Sequence, residues 1–198
     1  FTLLDDNNAM LKGYNNGELD FIENLPVDEI PTYLASGELE IGDYLGTYYV
    51  CFNTEDEVFS DPNIRKAFSL VIDRNYIVEN VSQAGEVPAD GYVPNGVNDA
   101  AGAGSDDFRT VGGSYYSISD EDYEANCEEA RQLLADAGYP NGEGFPTVEY
   151  LYNTADNHKK IGEALQNMWQ TELGVTVNLN NQDWNVFLQN RKDRKSVV

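Results

Sequence analysis

The sequence predicts an α/β fold, and three observations predict it. Val148, Tyr150 and Tyr152 alternate along a strand at 147–152, and Val175, Val177 and Leu179 alternate along another at 175–180. Between them Ile161, Ala164, Leu165, Met168, Trp169 and Leu173 recur at helical spacing, so one face of a helix over 156–173 is apolar. Strand, helix and strand in this order make a right-handed βαβ crossover with parallel strands. Upstream, a helix carries Ile64, Ala67, Phe68, Val71 and Ile72 on one side. Hydrophobic residues make up 41% of the chain, enough for a packed core and too many for global disorder.

Taken in chain order, residues 1–43 alternate short helix and strand signals. "FTLLDD" reads as a strand, and turns are expected at Asn15–Gly17 and at Gly37. Residues 44–53, "YLGTYYVCFN", are aromatic and β-branched and read as a strand. Ser60 or Asp61 caps the next helix, with Pro62 in its first turn, where a missing N–H costs nothing. A second helical stretch, 74–82, follows Asp73. Residues 85–117 are rich in Gly, Pro and Asp, and so long a loop is expected to be disordered or functional. Its glycines open no helix and no GK[ST] occurs, which argues against a phosphate cradle.

Ser119 is placed to cap a helix whose apolar stripe is Tyr123, Cys127, Ala130, Leu134 and Ala137. Asp120, Glu121, Asp122, Glu124, Glu128 and Glu129 lie mainly in its first half, where acids favour the dipole, and they read as a solvated face. Gly138 and Pro140 end it, Gly174 ends the 156–173 helix, and a last helix starts near Asp183. Cys51 and Cys127 lie far apart among apolar neighbours and are expected to be buried, reduced thiols.

Function classes narrow by charge and composition. The formal net charge of −23 opposes nucleic acid and anionic membrane, both of which need a basic footprint. No apolar run approaches the roughly 18 residues of a membrane helix. Neither an initiating Met nor a signal peptide stands at Phe1, so the chain reads as cut from something larger. One histidine and two distant cysteines offer no metal set, and no cofactor is implied. A Ser–His–acid set stays open, although no GxSxG is present, which leaves an acidic secreted hydrolase domain as a rival.

Candidate site residues come from the βαβ geometry. Asn153, Thr154 and His158 fall at the carboxyl end of a strand and in the first turn of the next helix, the edge at which open α/β sheets bind ligands. The helix dipole disfavours an imidazolium there. On the residues alone a second reading stands: Thr154 or Asp156 caps the helix and His158 points into water. Trp184 and Arg191, seven apart, share a helix face that suits a side chain and a carboxylate; a core Trp beside a terminal charge is the alternative.

Four stretches resemble the oligopeptide-binding proteins, the extracytoplasmic solute-binding family 5 receptors of peptide ABC importers. They are "YNNGELDF", "FNTEDEVFSDPNIRKAFSLVIDR", "GEVPADGYVPNG" and the long run from "ARQLLADAGYPNG" through "LYNTADNHKKIGEALQNMWQTELGVTVNLNNQDWNVFLQNR". The resemblance implies one lobe of a two-lobed periplasmic-binding-protein-like fold, a mixed sheet flanked by helices. Residues 1–43 would be a hinge-side segment, 44–193 an incomplete peptide-binding lobe, and 194–198 a tail that departs from the family. Asn153 and His158 match positions that face the peptide, Trp184 an aromatic lining a side-chain pocket, and Arg191 a basic position near the peptide's C-terminus. Tyr49 matches a further peptide-facing position. The family's acid for the peptide amino group and its opposite lobe are not in this sequence, so weak binding or none is expected of the chain by itself. Implied with the family are an oligopeptide ligand, permease subunits as partners, a monomer, an upstream lipid anchor and a place outside the cytoplasmic membrane. Dipeptides, nickel chelates and oligosaccharides are the alternative solutes.

Overall fold

A computed structural model describes residues 1–4 and 6–192. The tail expected at 194–198 and the boundary expected at 193 lie outside the described residues.

Among its described residues the N-terminal third holds helices and no strand. Helix α1 spans Asn7–Asn15, with the Asp6 carboxylate accepting from the Ala9 N–H at 2.7 Å. A 3₁₀ turn, Val27–Glu29, leads into α2, Ile30–Ser36, which ends on Gly37 at φ 77°. Among the described residues, neither the start of "FTLLDD" nor 44–53 forms the expected strand. Composition gave the second its strand signal, but a strand exists only when a neighbour completes its hydrogen bonds, and no described segment pairs with 44–53. The segment nevertheless keeps a strand's alternation. Val50 and Phe52 pack on the core while Tyr49 and Cys51 face outward. Cys51 is therefore exposed, contrary to expectation, whereas Cys127 is buried; both are free thiols.

Helix α3, Pro62–Leu70, is capped by Asp61, which accepts from the Asn63 N–H at 2.8 Å, and it buries Ile64, Ala67, Phe68 and Leu70. A single turn, α4 (Arg74–Tyr76), runs into a π-helical stretch, Ile77–Ser82. The 85–117 loop is folded, not disordered. It contains a short helix α5, Phe108–Gly112, and an Asn98–Asp107 bridge, and an Arg109–Asp90 ion pair crosses it. Ser119 accepts from the Glu121 N–H at 3.3 Å and opens a 3₁₀ turn leading into α6, Tyr123–Asp136. All six acids at its start are exposed, as a solvated face should be.

The last third follows the sequence pattern closely. Strand β1, Val148–Asn153, and strand β2, Val177–Gln182, are parallel neighbours, in register from Val148 opposite Val177 to Asn153 opposite Gln182. Helix α7, Asp156–Leu173, packs across them, and α8 spans Trp184–Lys192. Trp169 of α7 is 0% exposed and packs on Phe68 and Tyr150, its indole N–H donating to the Phe68 carbonyl at 2.8 Å. One core therefore joins α3, β1 and α7, and α6 adds Cys127, Ala130 and Leu134.

Gly174 sets how closely the end of α7 meets the turn after α6. Its φ is 69°, and a Cβ there would lie 2.2 Å from the Asn141 carbonyl oxygen. Gly174→Ala adds left-handed strain and a backbone clash together, so about 2–3 kcal/mol of stability should be lost, read as a lower denaturation midpoint. A change below about 0.5 kcal/mol would show that the turn yields freely.

Candidate functional site

The site is built on the carboxyl edge of the parallel pair. β1 ends at Asn153 and β2 at Gln182, and both strands hand over to helices at that edge. Thr154 does not cap α7. Its N–H donates to the Gln182 carbonyl at 2.9 Å, and its hydroxyl donates to Asn181 Oδ1 at 2.8 Å. Asp156 is already in the helix, and Ala155 at the N-cap supplies no side-chain bond. The capping alternative for this stretch is thereby removed, and the first turn of α7 keeps its N–H groups at the strand edge.

His158 lies in that first turn, half-buried. Its Nδ1 is 2.8 Å from the Tyr48 hydroxyl, and the two rings stack at 5.5 Å with 25° between planes. Desolvation by burial pushes the imidazole pKa below its usual value near 6.5. Tyr150, buried on β1, is pushed well up, by burial first and then by the neighbouring Tyr48 hydroxyl, and stays neutral.

The sign of the His158 shift gives a pH prediction. A folded-state pKa below the unfolded value means that folding favours the neutral ring, so this contribution is whole above about pH 6.5 and declines as pH falls through the lowered value. His158 is the only histidine. Comparing melting curves of wild type and His158→Gln between about pH 5 and 7 isolates it; parallel curves across that window would contradict the shift.

On α8, Trp184 is 56% exposed, which sets aside the core alternative. Phe187 stacks on it at 5.8 Å, and the Arg191 guanidinium lies 5.9 Å from the Phe187 ring centre. Trp184, Phe187 and Arg191 therefore form one row along the helix, as their spacing expects. The Asn190 side chain donates to Gln182 Oε1 at 2.8 Å and ties α8 to the end of β2.

Asn153 and His158 thus share one edge, and Trp184 and Arg191 are joined through Phe187. Tyr49 joins neither pair: it faces outward and meets Tyr92 edge-on at 5.1 Å. The tyrosine that reaches His158 is its neighbour, Tyr48. Parity carried that signal, because Phe52, Val50 and Tyr48 fall on one side of an alternating segment and Tyr49 on the other. Among the described residues no group of three or more His, Cys, Asp or Glu side chains could hold a metal. No helix among them is long and apolar enough to cross a membrane.

The fold recurs in solved receptors. An oligopeptide-binding protein OppA of Burkholderia pseudomallei superposes with a TM-score of 0.82 at 29% identity, over 98% of this chain and 37% of that one. Among curated relatives, the oligopeptide-binding protein OppA of Bacillus subtilis is 34% identical over 190 residues, 94% of this chain and 33% of its own length. The dipeptide-binding protein DppE of the same organism is 34% identical over 196 residues, 98% of this chain and 34% of its own. The chain therefore spans about a third of the length of the curated relatives it matches. The class is an α/β lobe of the periplasmic-binding-protein type, the kind found in solute-binding proteins. The model of bacterial extracellular solute-binding proteins, family 5 (middle region), matches residues 1–197, and the chain belongs to that family.

Proposed function

We propose that this chain is one wall of a cleft that captures oligopeptides for an ABC importer, and that the edge formed by β1, α7 and α8 faces the peptide. The observation that carries this reading is the set of ligand-ready groups at one strand edge: a half-buried neutral His158 beside Asn153, and an exposed Trp184–Phe187–Arg191 row beyond β2. A neutral imidazole and an Asn amide suit the carbonyl and N–H groups of a peptide main chain. The aromatic row suits a side chain, and the Arg191 guanidinium suits a carboxylate. Supporting it are the relatives' names, which describe oligopeptide and dipeptide binding.

In this reading residues 1–43 are a hinge-side segment docked on the lobe, helped by the Lys160–Asp28 ion pair. Residues 44–193 form the binding lobe, and Tyr49 contributes to the wall only through its contact with Tyr92. The receptor binds and delivers without chemistry. It works as a monomer outside the cytoplasmic membrane, held there by a lipid anchor, and hands its ligand to the permease subunits. A cleft needs two walls, so the test is made on a receptor of the relatives' length that contains this chain. Native mass spectrometry of that protein, purified without added ligand, should find a mixture of bound peptides. A uniform population of dipeptides would favour the narrower solute, and a bound metal chelate or glycan would overturn the peptide reading.

A further inference from the structure

Tyr48 has a role that neither the fold nor the proposed cleft requires of it. About half of its surface is exposed, yet its hydroxyl lies between two partners from different elements. On one side is His158 Nδ1 at 2.8 Å; on the other is the hydroxyl of Tyr150 on β1, itself only 5% exposed. A buried phenol must place its proton, and no buried side-chain N or O among the described residues lacks a hydrogen-bond partner. Burial raises both phenols, so both hydroxyls keep their protons near neutral pH. A phenol is a stronger acid than a neutral imidazole N–H, and an imidazole nitrogen a stronger base than a phenol oxygen, so the better-matched bond across 2.8 Å runs from the Tyr48 hydroxyl to His158 Nδ1.

We infer that Tyr48 is a positioning residue: it fixes His158 as the neutral Nε2–H tautomer, with Nδ1 engaged and Nε2–H offered at the strand edge to an acceptor oxygen of the ligand, a main-chain carbonyl or carboxylate. The ring stack adds the second constraint, holding the imidazole plane within 25° of the tyrosine. A histidine held in this way donates and does not accept, so it discriminates against ligand N–H and ammonium groups at that point. The position in the first turn of α7 works in the same direction, since the positive end of the dipole disfavours a second proton on the ring. This assignment rests on the proposed cleft only for what Nε2–H meets; the tautomer itself stands on the contact between the Tyr48 hydroxyl and His158 Nδ1.

The test exploits the lone histidine, because every imidazole signal from this chain belongs to His158. Long-range ¹H–¹⁵N correlation spectra of the labelled chain near neutral pH should show a pyrrole-type Nε2 and a pyridine-type Nδ1 displaced by an accepted hydrogen bond. Tyr48→Phe keeps the stacked ring and removes only the hydroxyl, so Nδ1 should move to the position of a free imidazole. In a receptor of the relatives' length the same change should weaken tri-alanine binding by about two- to tenfold. A proton on Nδ1 in the wild-type spectrum overturns the inference without any variant, and so do identical nitrogen shifts in wild type and Tyr48→Phe. If the nitrogens shift as expected while His158→Ala leaves tri-alanine affinity unmoved, the peptide-facing reading fails and the tautomer assignment stands.

Discussion

Trp169→Ala should cost this lobe about 3–5 kcal/mol of stability, the usual range for truncating a fully buried tryptophan. The residue is 0% exposed and belongs to three elements at once. It lies on α7, packs on Phe68 of α3 at 5.4 Å between ring centres, and meets Tyr150 of β1 at 6.0 Å. Removing the indole leaves a cavity that these elements cannot close independently, because each is also held by other parts of the same core. It also strips the Phe68 carbonyl of its 2.8 Å donor. Trp169→Phe separates the two effects: it keeps most of the ring area and removes the N–H, so it should cost about 1–3 kcal/mol. Urea denaturation of the three proteins measures both differences, as a falling midpoint at constant slope. A loss below about 1 kcal/mol for the alanine variant would mean that the helix and sheet do not share one core.

The last third of this fold was legible because its period is unambiguous and its stop signals are strong. The stripe from Ile161 to Leu173 and the Gly174 stop define α7, and the alternations at Val148–Tyr152 and Val175–Leu179 lead to a parallel pair through the handedness of the crossover. Residues 44–53 were not legible in the same way. Aromatic and β-branched composition reports a preference for a pleated, half-buried surface, while strand formation depends on a neighbour that local sequence does not name. The same omission misplaced Cys51: the core side belongs to Val50 and Phe52, and an argument from parity would have found it and set Tyr48 on their side of the alternation. At the site, strand-end geometry was enough to nominate Asn153 and His158. It could not reveal Tyr48 as the partner of His158, because 110 residues separate the two in the chain. The row on α8 was readable as Trp184 and Arg191, seven apart; Phe187, which joins them, was visible only as another apolar residue.

His158→Ala should weaken peptide binding in a receptor of the relatives' length by roughly three- to a hundredfold, with little change in its melting temperature. The lower figure holds if Nε2–H meets a neutral main-chain carbonyl, and the upper one if it meets a carboxylate, since hydrogen bonds to charged groups are the stronger. Stability should be nearly unmoved because His158 is half-buried at a strand edge and lies outside the core that Trp169, Phe68 and Leu134 anchor. The direct measurement is titration calorimetry of wild type and His158→Ala with tri-alanine near neutral pH, together with a melting curve of each protein. The account predicts a weaker binder that melts where the wild type melts. Equal affinity in the two proteins, or a melting point that collapses with the substitution, would contradict it and make His158 part of the scaffold.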